Sequence, residues 1–438
     1  MLYRKIENAI SEHLQSKSEK ILLIDGARQV GKTYIVRHVG KKLFKNFIEI
    51  NMIEDSLNNR LFEKVGSLED FYIQLGIFAG ASLGDSDNTL IFLDEIQQYP
   101  QLLTLLKFLK QDNKYTYIAS GSLLGVTLSE TSSIPMGSIN KIRMFPLDFE
   151  EFLYANGINR ETIDTFRKKF SHLESLDEST HNRILDLFKK YLLVGGMPDA
   201  VNEYIESKNF VKIRSIQQEI REYYAIDASK YDKDNKLSIR KIYDMLPSNM
   251  SKQKKRVVIK DIDGTKGKTH TNYENDFEYL ISSGIALNVQ AISNPTFPLV
   301  QSTGKNLLKL YLNDVGILTE ILYKNNIQAV LDDVKSINLG AVYETAVASE
   351  LIAHGHKLYY YDNRNRGEID FLIDDYDGLS VCPIEVKSGR DYTIHSALTN
   401  VTSNDEYNIK RALVLSNNRE ITTKGKIVYA PVYYAMFL

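Results

Sequence analysis

A single cysteine, Cys382, stands in 438 residues. It excludes an internal disulfide and any multi-cysteine zinc site. The eight histidines show no paired metal-ligand spacing. No uninterrupted apolar run approaches the roughly 18 residues of a membrane span, so no membrane partner is expected. The net charge is only −2, so no global electrostatic demand for nucleic acid exists and any basic footprint must be local. The opening residues Met1 to Asn8 lack the apolar core of a secretory signal and read as an amphipathic helix; a cytoplasmic protein is expected. Repeats and low-complexity tracts are missing too. What remains is ordinary globular composition, 43% hydrophobic and 25% charged. The length exceeds one compact core, and about two to four domains are expected.

The first 150 residues alternate strand and helix patterns. Ile21 to Ile24, Phe47 to Asn51, Leu90 to Glu95 and Tyr115 to Ser120 read as strands, with helical runs such as Leu102 to Leu109 between them. This is a parallel α/β layout. Between the first strand and the helix after it lies Gly26-Ala27-Arg28-Gln29-Val30-Gly31-Lys32-Thr33, which fits the phosphate-loop pattern G-x-x-x-x-G-K-[ST]. The glycines let backbone N–H groups turn toward phosphate oxygens, and the helix N-terminus adds its positive dipole end. ATP is the expected ligand, with Lys32 reaching the β- and γ-phosphates and Thr33 ligating Mg²⁺. Asp94 closes an apolar strand, where a Mg²⁺-holding carboxylate belongs. Glu95 follows as a candidate general base, and Ser120 at the end of the fourth strand is a candidate γ-phosphate sensor.

Beyond the loop, four further segments carry a resemblance. They are Leu93-Asp94-Glu95-Ile96-Gln97, Pro146-Leu147-Asp148-Phe149-Glu150-Glu151-Phe152, Gly195-Gly196-Met197-Pro198 and Tyr311-Leu312-Asn313-Asp314-Val315-Gly316-Ile317-Leu318. With Arg28-Gln29 inside the loop, the chain resembles the bacterial and archaeal AAA-type ATPases that carry a C-terminal domain of unknown function. The resemblance implies a helical lid after the ATPase core and then a winged-helix segment. One departure is visible: many members place arginine directly after a glycine ahead of the Pro-Leu signature. Here Ser138 follows Gly137, and Arg143 is the nearest arginine and the candidate finger or sensor.

Toward the C-terminus, Asp377-Gly378 between two strand-like runs is a hairpin signal. Counting outward pairs Asp370 with Glu385, with a twist or a bulge able to shift this register by one or two. Strict alternation then puts Ile369, Phe371, Ile373, Cys382, Ile384 and Val386 on a core face, and Asp370, Glu385 and Lys387 on the other. Pro383 argues for an edge strand or a bulge. Upstream, a helix is expected from Leu339 to His354 with Glu344 on a face of small apolar residues, costly for a carboxylate unless it is paired or holds a metal. The neighbouring Asp374, Asp375 and Asp377 read as solvated turn acids, and His354 and His356 as surface residues. Glu344, Asp370 and Glu385-Val386-Lys387 together resemble the PD-(D/E)xK restriction-endonuclease-like superfamily. That implies Mg²⁺ or Mn²⁺ held by Asp370 and Glu385, with Glu344, Asp370, Glu385 and Lys387 as the catalytic set.

Between these constellations, Lys252, Lys254, Lys255, Arg256, Lys260, Lys266 and Lys268 form a basic cluster that could contact DNA phosphates. The expected architecture is α/β: a P-loop ATPase core over 1–150, a helical lid over 151–235, a winged-helix-like module over 236–304 and a nuclease-like α/β domain over 305–438. The expected partners are ATP and DNA. The competing reading is a nucleotide-dependent switch or scaffold whose C-terminal domain binds a protein or DNA without cutting it. Oligomeric state is left open.

Overall fold

The computed structural model describes residues 2–16, 18–122, 124, 136–231, 236–252, 255–264, 268–302, 307–334, 337–363, 365–389 and 393–438. Its contacts divide into two units, one made of residues 1, 3–145 and 282–284, the other of 2, 146–281 and 285–438.

In the first unit the strands β1 (Ile21–Asp25), β2 (Asn46–Asn51), β3 (Thr89–Asp94), β4 (Thr116–Gly121) and β5 (Ile139–Arg143) form one sheet in the order β2-β3-β4-β1-β5. All four pairings are parallel. Parallel sheets are covered on both faces, and β1 and β3 are buried along their whole length, which is why they read as unbroken apolar runs. The helices are α1 (Ile6–Gln15), α2 (Lys32–Leu43), α3 (Met52–Leu57), α4 (Leu68–Ala79) and α5 (Pro100–Asp112). Pro100 starts α5 where its missing N–H costs nothing, and Asn113 ends it in the left-handed region at φ 51°. Leu102, Leu103 and Leu106 of α5 then join Ile91, Leu93, Phe71 and Leu75 in the core. Two features differ from expectation. Glu95 leaves the strand with φ 53°, and β5 is an additional strand whose half-exposed Ile139-Asn140-Lys141-Ile142-Arg143 lacks a strand-like apolar pattern.

The second unit opens with α6 (Phe149–Ala155), held by a reciprocal capping box between Asp148 and Glu151. Then come α7 (Arg160–Ser171), α8 (Glu178–Val194), α9 (Pro198–Ser207), α10 (Phe210–Tyr231), α11 (Lys236–Ser251), α12 (Ile259–Asp263) and α13 (Glu274–Ser282). Gly195-Gly196-Met197-Pro198 is the stop of α8 and the start of α9. A Cβ on Gly195 would lie 2.2 Å from Asp314 Oδ1, and one on Gly196 2.0 Å from the Leu147 carbonyl, so only glycine permits this approach. Asp314 caps α14 (Val315–Tyr323) through Ile317 N at 3.0 Å and also accepts Gly196 N at 2.6 Å, while Leu147 N donates to Gly196 O at 2.7 Å. Three of the motifs that carry the family resemblance therefore meet in one buried knot. Arg214 and Gln217 from α10 satisfy the last carbonyls of α8, at 3.1 Å to Leu193 and 2.9 Å to Val194.

The remaining helices are α15 (Ile327–Leu331), α16 (Gly340–Ala353) and α17 (Ser396–Thr402). The strands β6 (Ala286–Ile292), β7 (Leu308–Leu312), β8 (Leu358–Asn363), β9 (Gly367–Asp375), β10 (Ser380–Val386), β11 (Ala412–Ser416), β12 (Thr422–Lys424) and β13 (Ile427–Pro431) form an eight-stranded mixed sheet, ordered β12-β13-β11-β10-β9-β8-β6-β7. β6 and β7 pair as a hairpin and β6 pairs with β8, so the hairpin, which spans the expected boundary at 304/305, belongs to this sheet. From α16 onward the order is helix, three antiparallel strands, helix, then β11 parallel to β10. A core of Leu372, Val381, Val414, Leu398 and Val401 seats α17 on one face.

The β9–β10 register is the one counted outward from Asp377-Gly378, with Phe371 opposite Ile384, although the turn is the four-residue Tyr376–Leu379 held by Asp375 Oδ1 accepting Gly378 N at 2.9 Å. The expected alternation of faces is corrected by a bulge. Tyr359 pairs with Leu372 but Tyr361 with Ile369, two steps against three, so Ile369 and Leu372 enter the same core. Pro383 is in a central strand and not at an edge. It precedes the first β10–β11 pair, Ile384 with Leu413, so no donor is lost on that side.

The knot around Asp314 is a stability determinant. Asp314→Ala removes a helix cap and strands the buried Gly196 N–H, and we expect a loss of about 2–4 kcal/mol in urea unfolding followed by far-UV circular dichroism. Gly196→Ala, which forces a Cβ into Leu147, is expected to abolish soluble, folded protein.

Candidate functional site

The carboxyl ends of β1, β3 and β4 lie side by side, and the loop 26–31 runs from β1 into α2. Backbone freedom is used at Gln29 (φ 66°) and Gly31 (φ 95°). Gly26 passes so close to β5 that a Cβ would lie 2.2 Å from the Met144 carbonyl. Lys32 is buried and folds back over the loop, donating to Gly26 O at 2.9 Å and Ala27 O at 2.8 Å. Burial pulls its pKa down, against the opposing charges of Glu95, Asp94 and Asp25.

Thr33 Oγ1 donates to Asp94 Oδ2 at 2.8 Å, Ser120 Oγ donates to Asp94 Oδ1, and Glu95 N donates to the same oxygen at 3.1 Å. Burial raises the Asp94 pKa, and these two hydroxyls only partly offset it. The result is a buried carboxylate beside a hydroxyl, a set of hard oxygen donors suited to Mg²⁺. The Glu95 carboxylate is held by Gln97 Nε2 at 2.5 Å and Ser122 Oγ at 3.1 Å. Lys32, Thr33, Asp94, Glu95 and Ser120 are thus gathered at one sheet edge.

Several contributors were not legible as site residues. Arg4 donates to Val30 O at 2.9 Å and Phe145 O at 2.6 Å, fixing the loop from below. Asp25, fully buried at the end of β1, takes Lys141 Nζ at 3.2 Å and Arg143 Nη2 at 3.1 Å. Arg143, the candidate finger, is therefore the ion-pair partner of Asp25 within its own unit. An acid directly ahead of the glycine loop was the one signal available for Asp25.

In the second unit Glu344 (α16), Asp370 (at the β9 bulge), Glu385 (β10) and Lys387 (just after β10) feel one another's charge. Glu344 is 2% exposed; its Oε2 accepts Tyr311 OH at 3.1 Å and its Oε1 is ion-paired with Lys255. Burial and then the Asp370 charge raise the Glu344 pKa, opposed by Lys255 and Lys309. Asp370 Oδ2 accepts Val386 N at 2.9 Å, a bond that bridges β9 and β10 at the bulge. Glu385 meets Lys387 Nζ at 2.7 Å, yet burial and Asp370 push its pKa up to about 8. On Lys387 the carboxylates outweigh the burial that would lower its pKa. Glu344 and Glu385 are buried and Asp370 and Lys387 half-buried, so the neighbouring carboxylates oppose one another's ionisation.

The basic cluster is largely consumed internally. Lys255 serves Glu344, Lys252 pairs with Asp261 at 2.7 Å, Arg256 with Asp362 at 3.7 Å, and Lys268 sits over the Tyr273 ring. Lys254 and Lys266 lie outside the described residues. Asp374 and Asp375 are occupied by Leu299 N and Gly378 N, and His354 is bonded to the main-chain oxygen of Leu438, so it is not a simple surface residue. Among the described residues no helix is long and apolar enough to cross a membrane.

Residues 18–153 match a family described as an AAA domain, 185–328 match a domain of unknown function (DUF8612), and 339–434 match another (DUF4143). No curated protein matches the chain. Among solved structures it is similar to the Walker-type ATPase PABY2304 of Pyrococcus abyssi, at 15% identity and TM-score 0.43 over 76% of this chain and 96% of that one. It is also similar to C. elegans PCH-2, at 11% identity and TM-score 0.24 over 65% of this chain and 69% of that one. The glycine loop between β1 and α2, the parallel sheet and the matched family agree: residues 18–153 are a P-loop ATPase domain of the AAA type.

Proposed function

We propose that the chain hydrolyses ATP at the loop 26–33 and uses nucleotide turnover to control a C-terminal domain that acts on DNA phosphodiesters with a divalent metal. The observation that carries the first half is the convergence of Lys32, Thr33, Asp94, Glu95 and Ser120 at the end of three parallel strands. The backbone of Gly26, Ala27, Arg28, Gln29, Val30 and Gly31 cradles the phosphates. Lys32 exchanges the Gly26 and Ala27 carbonyls for phosphate oxygens, which explains an ammonium held over the loop. Thr33 and Asp94 would hold Mg²⁺, which would supply positive charge against the charge developing on the phosphates. Glu95, kept in place by Gln97 and Ser122, takes the proton of the attacking water, and Ser120 senses the terminal phosphate through Asp94.

For the second half, support comes from the helix-and-strand order α16-β8-β9-β10-α17-β11 and from the grouping of Glu344, Asp370, Glu385 and Lys387. Asp370 and Glu385 would hold Mg²⁺ or Mn²⁺, whose charge activates water, and Lys387 would orient that water. One observation favours the alternative, a nucleotide-dependent switch whose C-terminal domain binds DNA or protein without cutting. Lys255 already neutralises Glu344 from within the chain.

Lys32→Ala is expected to lower ATP turnover by about 100-fold or more, and Glu95→Gln to lose turnover while still binding ATP, in a phosphate-release assay paired with nucleotide-binding titration. Equal turnover by both variants and wild type would overturn the ATP-site assignment.

Wild-type protein with Mg²⁺ or Mn²⁺ is expected to cleave single- or double-stranded DNA, with Asp370→Ala and Lys387→Ala at least about 100-fold slower. If no DNA form is cut with or without ATP, the switch reading stands instead.

Glu385 also makes a pH prediction. Its folded pKa lies above its unfolded value of 4.5, so its stabilising contribution is complete below about 4.5 and is lost as pH rises through about 8. Between pH 5.5 and 8.5, wild type should lose on the order of 2 kcal/mol relative to Glu385→Gln, and a divalent ion should remove that difference. Parallel pH–stability curves for the two proteins would refute the buried-carboxylate assignment.

A further inference from the structure

Outside both sites, Asp148, Glu350 and His354 each bring one ligand-capable atom to within 4.8 Å of the others. Asp148 caps α6; Glu350 and His354 stand one turn apart at the end of α16. Asp148 and Glu350 are 6% and 1% exposed. Each is oriented by a main-chain donor: Asp148 Oδ1 accepts Glu151 N at 2.8 Å, and Glu350 Oε1 accepts Phe149 N at 2.6 Å. His354 Nδ1 bonds the main-chain oxygen of Leu438 at 3.0 Å. An oxygen there can only accept, so the proton is on Nδ1 and Nε2 turns to the carboxylates, 3.5 Å from Asp148 Oδ2. Anchoring a ligand histidine through its other nitrogen is how metal sites fix tautomer and ring plane.

The spacing separates two chemistries. A proton shared by imidazolium and carboxylate gives N···O of about 2.7–2.9 Å. Two donors each about 2.0–2.1 Å from a tetrahedral ion stand roughly 3.4 Å apart. The observed 3.5 Å matches the second. We propose that Asp148, Glu350 and His354 form a structural site for a divalent transition ion of the zinc class, a nitrogen and two oxygens with water completing the shell. The ion staples the start of α6 to the end of α16, the helix that also carries Glu344. It is independent of the function proposed above. The His354 side chain, 16% exposed, leaves an access route.

The test is metal analysis of full-length protein stripped with chelator, reloaded with Zn²⁺ in the presence of excess Mg²⁺, and dialysed. Wild type should retain one more zinc per chain than His354→Ala, whose affinity at this site should fall about 100-fold or more. Equal zinc content in the two folded proteins would overturn the proposal. Should His354→Ala fail to fold, histidine ¹⁵N NMR of wild type with Zn²⁺ decides. A metal-bound His354 Nε2 supports the site; a His354 ring protonated on both nitrogens refutes it.

Discussion

Parallel, in-register strand pairing is the constraint on which the first unit rests. Parallel strands end on the same edge, so every residue that follows a strand there is delivered to one place. Asp25 pairs with Gly121 and with Arg143, and Leu93 with Ala119. The glycine loop, Asp94 and Ser120 are therefore neighbours because their strands are. The helix dipole of α2 and the backbone N–H groups of the loop aim at the same spot. No side chain has to reach far, and each is held by short hydrogen bonds within that edge.

Buried charge is the second theme, and the two units solve it differently. Asp25 is fully buried, and two cations from β5 compensate it. Asp94 has hydroxyl and N–H partners, which stabilise an anion less than a cation does, and it is left receptive to a metal. In the second unit Glu344 is compensated by Lys255, a lysine of the basic cluster between 252 and 268. Glu385 has Lys387, but burial and then the charge of Asp370 outweigh it and raise its pKa.

The resemblance motifs of the second unit have a different physical origin from the phosphate loop. Gly195-Gly196, Asp314 and Leu147 bind one another: they close a helix stop, a helix cap and a chain crossing in one buried knot. Their glycines are dictated by backbone approach distance. Recurrence of such residues in a sequence pattern therefore speaks of packing, whereas Gly26 to Thr33 speaks of phosphate chemistry.

By itself the sequence determined the alternating α/β pattern of the first unit, the phosphate loop, the Asp94-Glu95 pair and the β9–β10 register. Each is written in local period, turn chemistry or a short spacing. The tertiary structure alone decided that β5 exists, that a bulge breaks the alternation at Asp370, and that Pro383 sits in a central strand. It also decided that Arg143 serves Asp25, that Arg4 props the loop, that Lys255 reaches Glu344, and that His354 faces Asp148. These depend on partners far away in the chain. No local rule of periodicity or propensity encodes which lysine reaches which carboxylate; burial, which makes an unpaired charge costly, selects the pairing only once the fold has closed.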